Sequence, residues 1–286
     1  MIAMQAPLSR RAPIRALFLD IDGTLIGRDQ RVSDKTRAAL DAARSVGCEV
    51  VLCTGRTRFT AQPIAEQIAP PLGYAIVSNG GVVMHLGTEE VLCRHLLPIP
   101  VALEIVRAIV AVGAEPYVYE DSTARDVERS RVLHHPDLPV GPFATSPRYR
   151  PHANLLEDLP FAPVSVSAFG APEKMRPLVE HLRGHLPGDV SVIQSGSADW
   201  WGIEVFVANV DKRRGLELVS KRLGITQEET LAIGDHINDM EMIRWAGVGV
   251  AMGNALPEVR AVADWITAAQ EEDGVAQAIE RFVLAP

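Results

Sequence analysis

The stretch FLDIDGTLIG, Phe18 to Gly27, ends an apolar run with two carboxylates one residue apart. Ala16–Leu19 suits a buried strand, and Asp20, Asp22, Gly23 and Thr24 follow at once. Like charges this close repel, so a strand that delivers both calls for a cation beside them. Gly23 lets the chain turn sharply and expose backbone amides. A D-x-D-G could also be a fragment of a calcium loop, but the glycine stands fourth instead of sixth and no Glu closes the loop.

Outward from this stretch, strand-like and helical segments alternate. Arg15–Asp20, Glu49–Cys53 and Tyr74–Val77 read as short buried strands. Ser33–Val46 reads as a helix, with Ser33 as its N-cap and Gly47 as its stop, and Thr57–Ile68 as another despite Pro63. The pattern resumes late, with helices over Arg213–Leu223, Asp239–Trp245 and Leu256–Ala263 and strands over Thr230–Ile233 and Val248–Ala251. This alternation predicts an α/β fold, a doubly wound parallel sheet with helices on both faces. From about Val82 to Gln194 short strand-like runs surround two helices, Val101–Val112 and Glu173–Leu186, and residues 134–163 are rich in Pro. That texture predicts an α+β cap domain inserted into the core. The expected division is a flexible N-terminal tail over residues 1–14, a catalytic core over 15–83 and 200–286, and the inserted cap over 84–199.

Composition narrows the function. The formal charge of −8 and a pI near 5.5 argue against a nucleic-acid binder, which carries a basic surplus or stripe. Cys48, Cys53 and Cys93 form an odd set without paired spacing, so a reducing compartment fits better than a disulfide framework. No apolar run approaches the roughly 20 residues of a membrane span, and the first residues lack the apolar core of a signal peptide. A soluble cytoplasmic protein is expected.

The polar motifs all fall after strands. Thr54, Gly55 and Arg56 follow the second, Asn79 and Gly80 the third, and Gly234, Asp235, Asn238 and Asp239 the strand TLAI. Open parallel sheets bind ligands outside the carboxyl ends of their strands. Asp20 and Asp235, with the backbone carbonyl of Asp22, are hard oxygen ligands of the kind Mg²⁺ takes. The Thr54 hydroxyl and Gly55 amide suit phosphate oxygens, and Lys212 at a helix start supplies a point charge. Together they make a clamp for a transferring phosphoryl group. Mg²⁺ and Lys212 make a charged Asp20 tolerable, Asp20 can attack phosphorus, and Asp22 can protonate the leaving oxygen and then activate water. Arg56 has two readings, a structural ion pair or a site residue, and Asn79 likewise is a turn residue or part of the site.

DIDGT, TGR, a lone Lys and GDHIND, in this order, resemble the haloacid dehalogenase (HAD) superfamily of phosphotransferases. The closing stretch AGVGVAMGNALPEVRAVADWITAAQEEDGVAQAI resembles its Cof-type subfamily (IIB), whose large cap is inserted between the second and third motifs. The likeness covers about residues 15–83 and 200–283. It implies a Mg²⁺-dependent phosphatase with Asp20 as nucleophile and Asp22 as acid and base. Ile21 through its backbone, Thr54, Gly55, Lys212 and Asn238 would hold phosphate. Asp20, Asp22 and Asp235 would hold the metal, with Asp239 close behind. His236 departs from the pattern, since relatives often carry a smaller residue there.

The expected partner is a small-molecule phosphate ester, with no nucleic acid and no membrane. Sugar phosphates lead, with flavin (FMN) or pyridoxal phosphate behind. Arg125, Arg129 and Arg131 form a basic cluster in the insert, read either as a solvated face or as a grip on an anionic substrate. A phosphomutase of the same superfamily keeps every motif but needs a second phosphate site, for which these arginines are the candidates. A non-catalytic binding module should lack an Asp or the Lys, and none is missing. The adjacent His134 and His135 read as solvated.

Overall fold

The apolar run of the opening stretch becomes a central strand. A computed structural model describes residues 12–68, 73–121, 129–132, 149–151, 156–186, 190–196 and 199–285. Its elements begin with β1 (Ala16–Leu19), α1 (Asp34–Ser45), β2 (Glu49–Cys53), α2 (Arg58–Ala65), β3 (Tyr74–Val77), β4 (Val82–His85) and β5 (Val91–Arg94). Next come α3 (Ile99–Ala111), β6 (Pro116–Glu120), β7 (Arg129–Val132), β8 (Tyr149–Pro151), β9 (Ser165–Gly170), α4 (Pro172–His185), β10 (Val190–Gly196) and β11 (Trp201–Val207). The chain closes with α5 (Lys212–Leu223), β12 (Thr230–Gly234), α6 (Met240–Trp245), β13 (Val248–Ala251), α7 (Pro257–Arg260), β14 (Trp265–Ile266) and α8 (Gly274–Ile279). The described residues form two units, one up to Glu90 and again from Lys212, the other Val91–Asp211. No helix among them is long and apolar enough to cross a membrane.

The first unit is built on a sheet of order β14-β13-β12-β1-β2-β3-β4. From β14 to β3 every pairing is parallel, and β4 turns back antiparallel on β3. β1, β3, β12 and β13 are buried along their whole length. A parallel strand covered on both faces must be apolar at every position, which is why ALFL and VGVA do not alternate. Helix α1 starts where Ser33 Oγ accepts from the Thr36 amide at 3.1 Å and ends before Gly47, which takes φ +85°, the left-handed stop a glycine supplies. Helix α7 is shorter than the predicted Leu256–Ala263. The chain leaves it so that the Asp264 amide can donate to Gly249 O at 2.8 Å and enter β14.

The second unit is a six-stranded sheet of order β10-β11-β9-β6-β7-β8, antiparallel except for β7 with β8. The sequence pattern left β11 unassigned. It lies between β10 and β9. Val118, Val166, Ile203 and Val205 meet Ile105 of α3 and Leu178 of α4 in one apolar core. Each such side chain contributes roughly 1.5–3 kcal/mol by leaving water.

Candidate active site

Four adjacent parallel strands, β12, β1, β2 and β3, bring the polar motifs to one sheet edge. At ~4.8 Å per strand they span about 14 Å. The register pairs Leu19 with both Ile233 and Leu52, so Asp20 leaves β1 level with the ends of its neighbours. Its amide donates to Ile233 O at 3.0 Å, and the Thr54 amide to Ile76 O at 2.8 Å.

Lys212 opens α5 and is 1% exposed. A cation at a helix N-terminus is opposed by the helix dipole, so its location needs another cause. Nζ donates to Asp20 Oδ1 and to Asp239 Oδ1, each at 2.6 Å. Burial works against its charge, but these two carboxylates outweigh it and hold the ammonium above the ordinary lysine range. Asp239 is braced in turn. Its Oδ2 accepts the amides of Asp235 and His236, both at 3.0 Å. Asp239 therefore orients Lys212 and pins the loop that carries Asp235.

Asp20, Asp235 and Asp239 each offer an oxygen within 4.8 Å of the others. Burial pushes the Asp20 carboxyl well up, with Lys212 opposing and Asp239 and Asp235 adding. Burial, then Asp239, lifts Asp235 to about 7. One ammonium faces three carboxylates, so the cluster is short of positive charge. A divalent cation that prefers oxygen ligands fits that deficit and that donor set.

Asp235 is itself positioned. Thr24 Oγ1 donates to its Oδ1 at 3.4 Å. Asn254 Nδ2 donates to Gly23 O at 2.8 Å and to Asp235 Oδ2 at 3.5 Å, while Asn254 Oδ1 accepts the Gln270 amide at 2.9 Å. Gly23 has φ +80°, and a Cβ there would overlap the Asp235 carboxylate. No motif in the sequence points to Thr24 as a partner of Asp235, or to Asn254. Asn254 stands just past the end of β13, so the strand-end rule that found the other residues points to it too.

Asp22 lies on the same loop with its side chain 54% exposed, paired with Arg56. The Ile21 carbonyl accepts the amides of Leu25 and Ile26, both at 3.0 Å, which curls the loop. After β3, Ser78, Asn79 and Gly80 all take positive φ (50°, 55° and 98°). The Asn79 amide donates to Thr54 O at 2.9 Å, and its Oδ1 accepts from Asn238 Nδ2 at 2.8 Å. A Cβ on Gly55 would sit 3.2 Å from both end atoms of the Asn79 amide. Gly55, Asn79 and Asn238 are thus brought together, and Asn79 is more than a turn residue. Arg125, His134 and His135 lie outside the described residues. Arg129 and Arg131 are on β7, and their side chains are outside what the structure describes.

A buried lysine clamped between aspartates at the carboxyl ends of parallel strands defines an α/β enzyme site built around anionic chemistry. The haloacid dehalogenase-like hydrolase family model matches residues 17–279, and the chain belongs to that family. It is similar to a phosphoglycolate phosphatase of Methanothermobacter thermautotrophicus, 30% identical over 94% of this chain and 99% of that one. It is also similar to the Bacillus subtilis 5-amino-6-(5-phospho-D-ribitylamino)uracil phosphatase YitU, 28% identical over 93% and 96%. Among solved structures, a haloacid dehalogenase-like hydrolase from Bacteroides thetaiotaomicron superposes with a TM-score of 0.80 at 28% identity, covering 94% of this chain and 99% of that one.

Proposed function

We propose that this hydrolase is a Mg²⁺-dependent phosphatase of the Cof-type, large-cap (IIB) group, acting on a small phosphorylated metabolite through a phosphoaspartate on Asp20. The observation that carries the proposal is Lys212 Nζ, 2.6 Å from Asp20 and buried with it beside Asp235. Asp20 attacks phosphorus, the bond from phosphorus to the leaving oxygen breaks, and Asp22 gives that oxygen its proton. Asp22 then takes a proton from water, the water oxygen attacks the phosphorus, and the bond to Asp20 breaks to release phosphate. Thr54, Gly55, Asn238 and the Ile21 backbone hold the phosphoryl oxygens, with Lys212 neutralising their charge. Asp20, Asp235 and the Asp22 carbonyl would hold Mg²⁺, with Asp239 behind them, and the ion would supply positive charge opposite the phosphate.

A sugar phosphate is the leading substrate class, with FMN or pyridoxal phosphate behind it. The named substrates of the relatives differ, one a ribityl phosphate and one phosphoglycolate, which supports small phosphate esters as a class. The unit up to Glu90 and from Lys212 carries the chemistry, and the inserted unit, Val91–Asp211, selects the substrate. The three free cysteines fit the reducing cytoplasm. A screen of phosphorylated metabolites, read as released phosphate with Mg²⁺ and with excess EDTA, tests the proposal. Undiminished turnover in EDTA overturns the metal requirement, and no release from any ester overturns the activity.

A further inference from the structure

We infer that Arg56 is the positioning residue for Asp22, and that Gln30 and the first turn of α2 lock its guanidinium in the orientation this requires. The inference rests on the proposed acid and base role of Asp22. Arg56 Nε donates to Asp22 Oδ2 at 2.7 Å and Nη2 to Oδ1 at 2.5 Å. Two parallel bonds fix the plane of a carboxylate as well as its distance, which a lysine cannot do. The fork is held from behind. Nη1 donates to Thr60 O at 3.1 Å, and Nη2 also reaches Gln30 Oε1. Gln30 takes φ 58°, and its carbonyl accepts from Gln67 Nε2 at 3.0 Å, while Gln67 Oε1 accepts the Val32 amide at 3.0 Å.

The Arg56 backbone is equally constrained. Its amide donates to Thr54 Oγ1 at 3.0 Å and its carbonyl accepts the Ser78 amide at 2.8 Å. The residue that orients Asp22 is therefore tied to the loops carrying Thr54 and Asn79.

Stability does not explain this arrangement. The pair joins the loops after β1 and β2 with Asp22 half-exposed, and ion pairs open to water contribute little to folding. Catalysis does. A proton donor must reach the leaving oxygen in the transition state, and a small misplacement of it costs rate. A lone, half-exposed aspartate would spread over several rotamers. The bidentate fork confines it to one, and each carboxyl oxygen keeps a further site, which can carry the proton given to the leaving oxygen and then accept one from water.

The test uses the full chain with Mg²⁺ and a series of aryl phosphates from 2,4-dinitrophenyl to phenyl phosphate. Dinitrophenolate leaves without a proton, whereas phenolate needs one, so only the second end of the series depends on a well-placed acid. Wild-type turnover of the dinitrophenyl ester checks the phosphatase reading separately. Arg56→Gln should lose about tenfold more kcat on phenyl phosphate than on the dinitrophenyl ester, a fraction of the roughly 10²–10⁴-fold an acid provides. Gln30→Ala should change the series in the same direction by less. In an Asp22→Asn background, Arg56→Gln should add no further leaving-group dependence. Melting curves establish that each variant is folded, and Gln30→Ala with Arg56→Lys carries the test if Arg56→Gln is not. Equal losses across the series overturn the inference, as does a full additional loss on top of Asp22→Asn.

Discussion

Replacing Lys212 by Met removes the buried cation that bonds Asp20 and Asp239 beside Asp235. The lysine is 1% exposed and bonds two carboxylates at 2.6 Å. Breaking a buried pair by deleting one partner costs about 3–5 kcal/mol, because a charge is left buried and unpaired. Here Asp20 is already pushed towards its neutral form by burial. Taking a proton softens the loss, so about 3 kcal/mol is expected near neutral pH. For a chain of this size that is a fall in Tm of about 5 °C. The sign of the pH effect follows. In the variant the folded state binds a proton that the unfolded chain does not, so its stability deficit should shrink as pH falls from about 7.5 to 5.5. Adding Asp239→Asn should recover part of the loss by removing one stranded charge. Thermal melts in EDTA at both pH values measure this. A fall under about 2 °C, unchanged between the two pH values, would refute the view of Lys212 as the charge that holds the cluster together.

Four further outcomes are expected. Asp20→Asn should abolish turnover, since an amide cannot attack phosphorus, whereas Asp22→Asn should slow it by roughly 10²–10⁴-fold; steady-state rates on nitrophenyl phosphate separate them. Gly23→Ala should weaken Mg²⁺ binding as well as activity, because its φ of +80° and the overlap with Asp235 force the loop to move, and a Mg²⁺ titration followed by melting reads this. In EDTA, Asp235 should make the protein less stable as pH rises from about 4 to 7, because its folded carboxyl titrates near 7 and its unfolded one near 3.8; Mg²⁺ or Asp235→Asn should flatten that slope. Alanine at Arg125, Arg129 or Arg131 should alter KM or the ranking of natural phosphates with little effect on nitrophenyl phosphate, as kcat/KM ratios would show.

Much of this was legible in the chain because buried parallel strands are continuous apolar runs with polar ends. Glu49–Cys53, Tyr74–Val77 and Val248–Ala251 read off with their observed bounds for that reason. Strand β11 was harder. WGIEVFV carries a charge and two aromatics, and only its place between β10 and β9 makes it a central strand. The early end of α7 was set by the bond from Asp264 to Gly249, which no local signal announces. In the site, the strand-end rule located Asp20, Thr54 and Asp235. It could not tell that Arg56 reaches back 34 residues to Asp22, or that Asn238 meets Asn79 across 159. Those pairings come from loops of neighbouring strands converging after the sheet forms.

The claim on which the rest depends is that Asp20 is phosphorylated. Asp22→Asn protein, mixed with nitrophenyl phosphate and Mg²⁺ and quenched in acid, can be digested and its peptides weighed. The peptide containing Asp20 should carry one phosphoryl group that hydroxylamine removes. Continued turnover with that peptide unmodified, or a phosphoryl group found on another residue, would contradict the account.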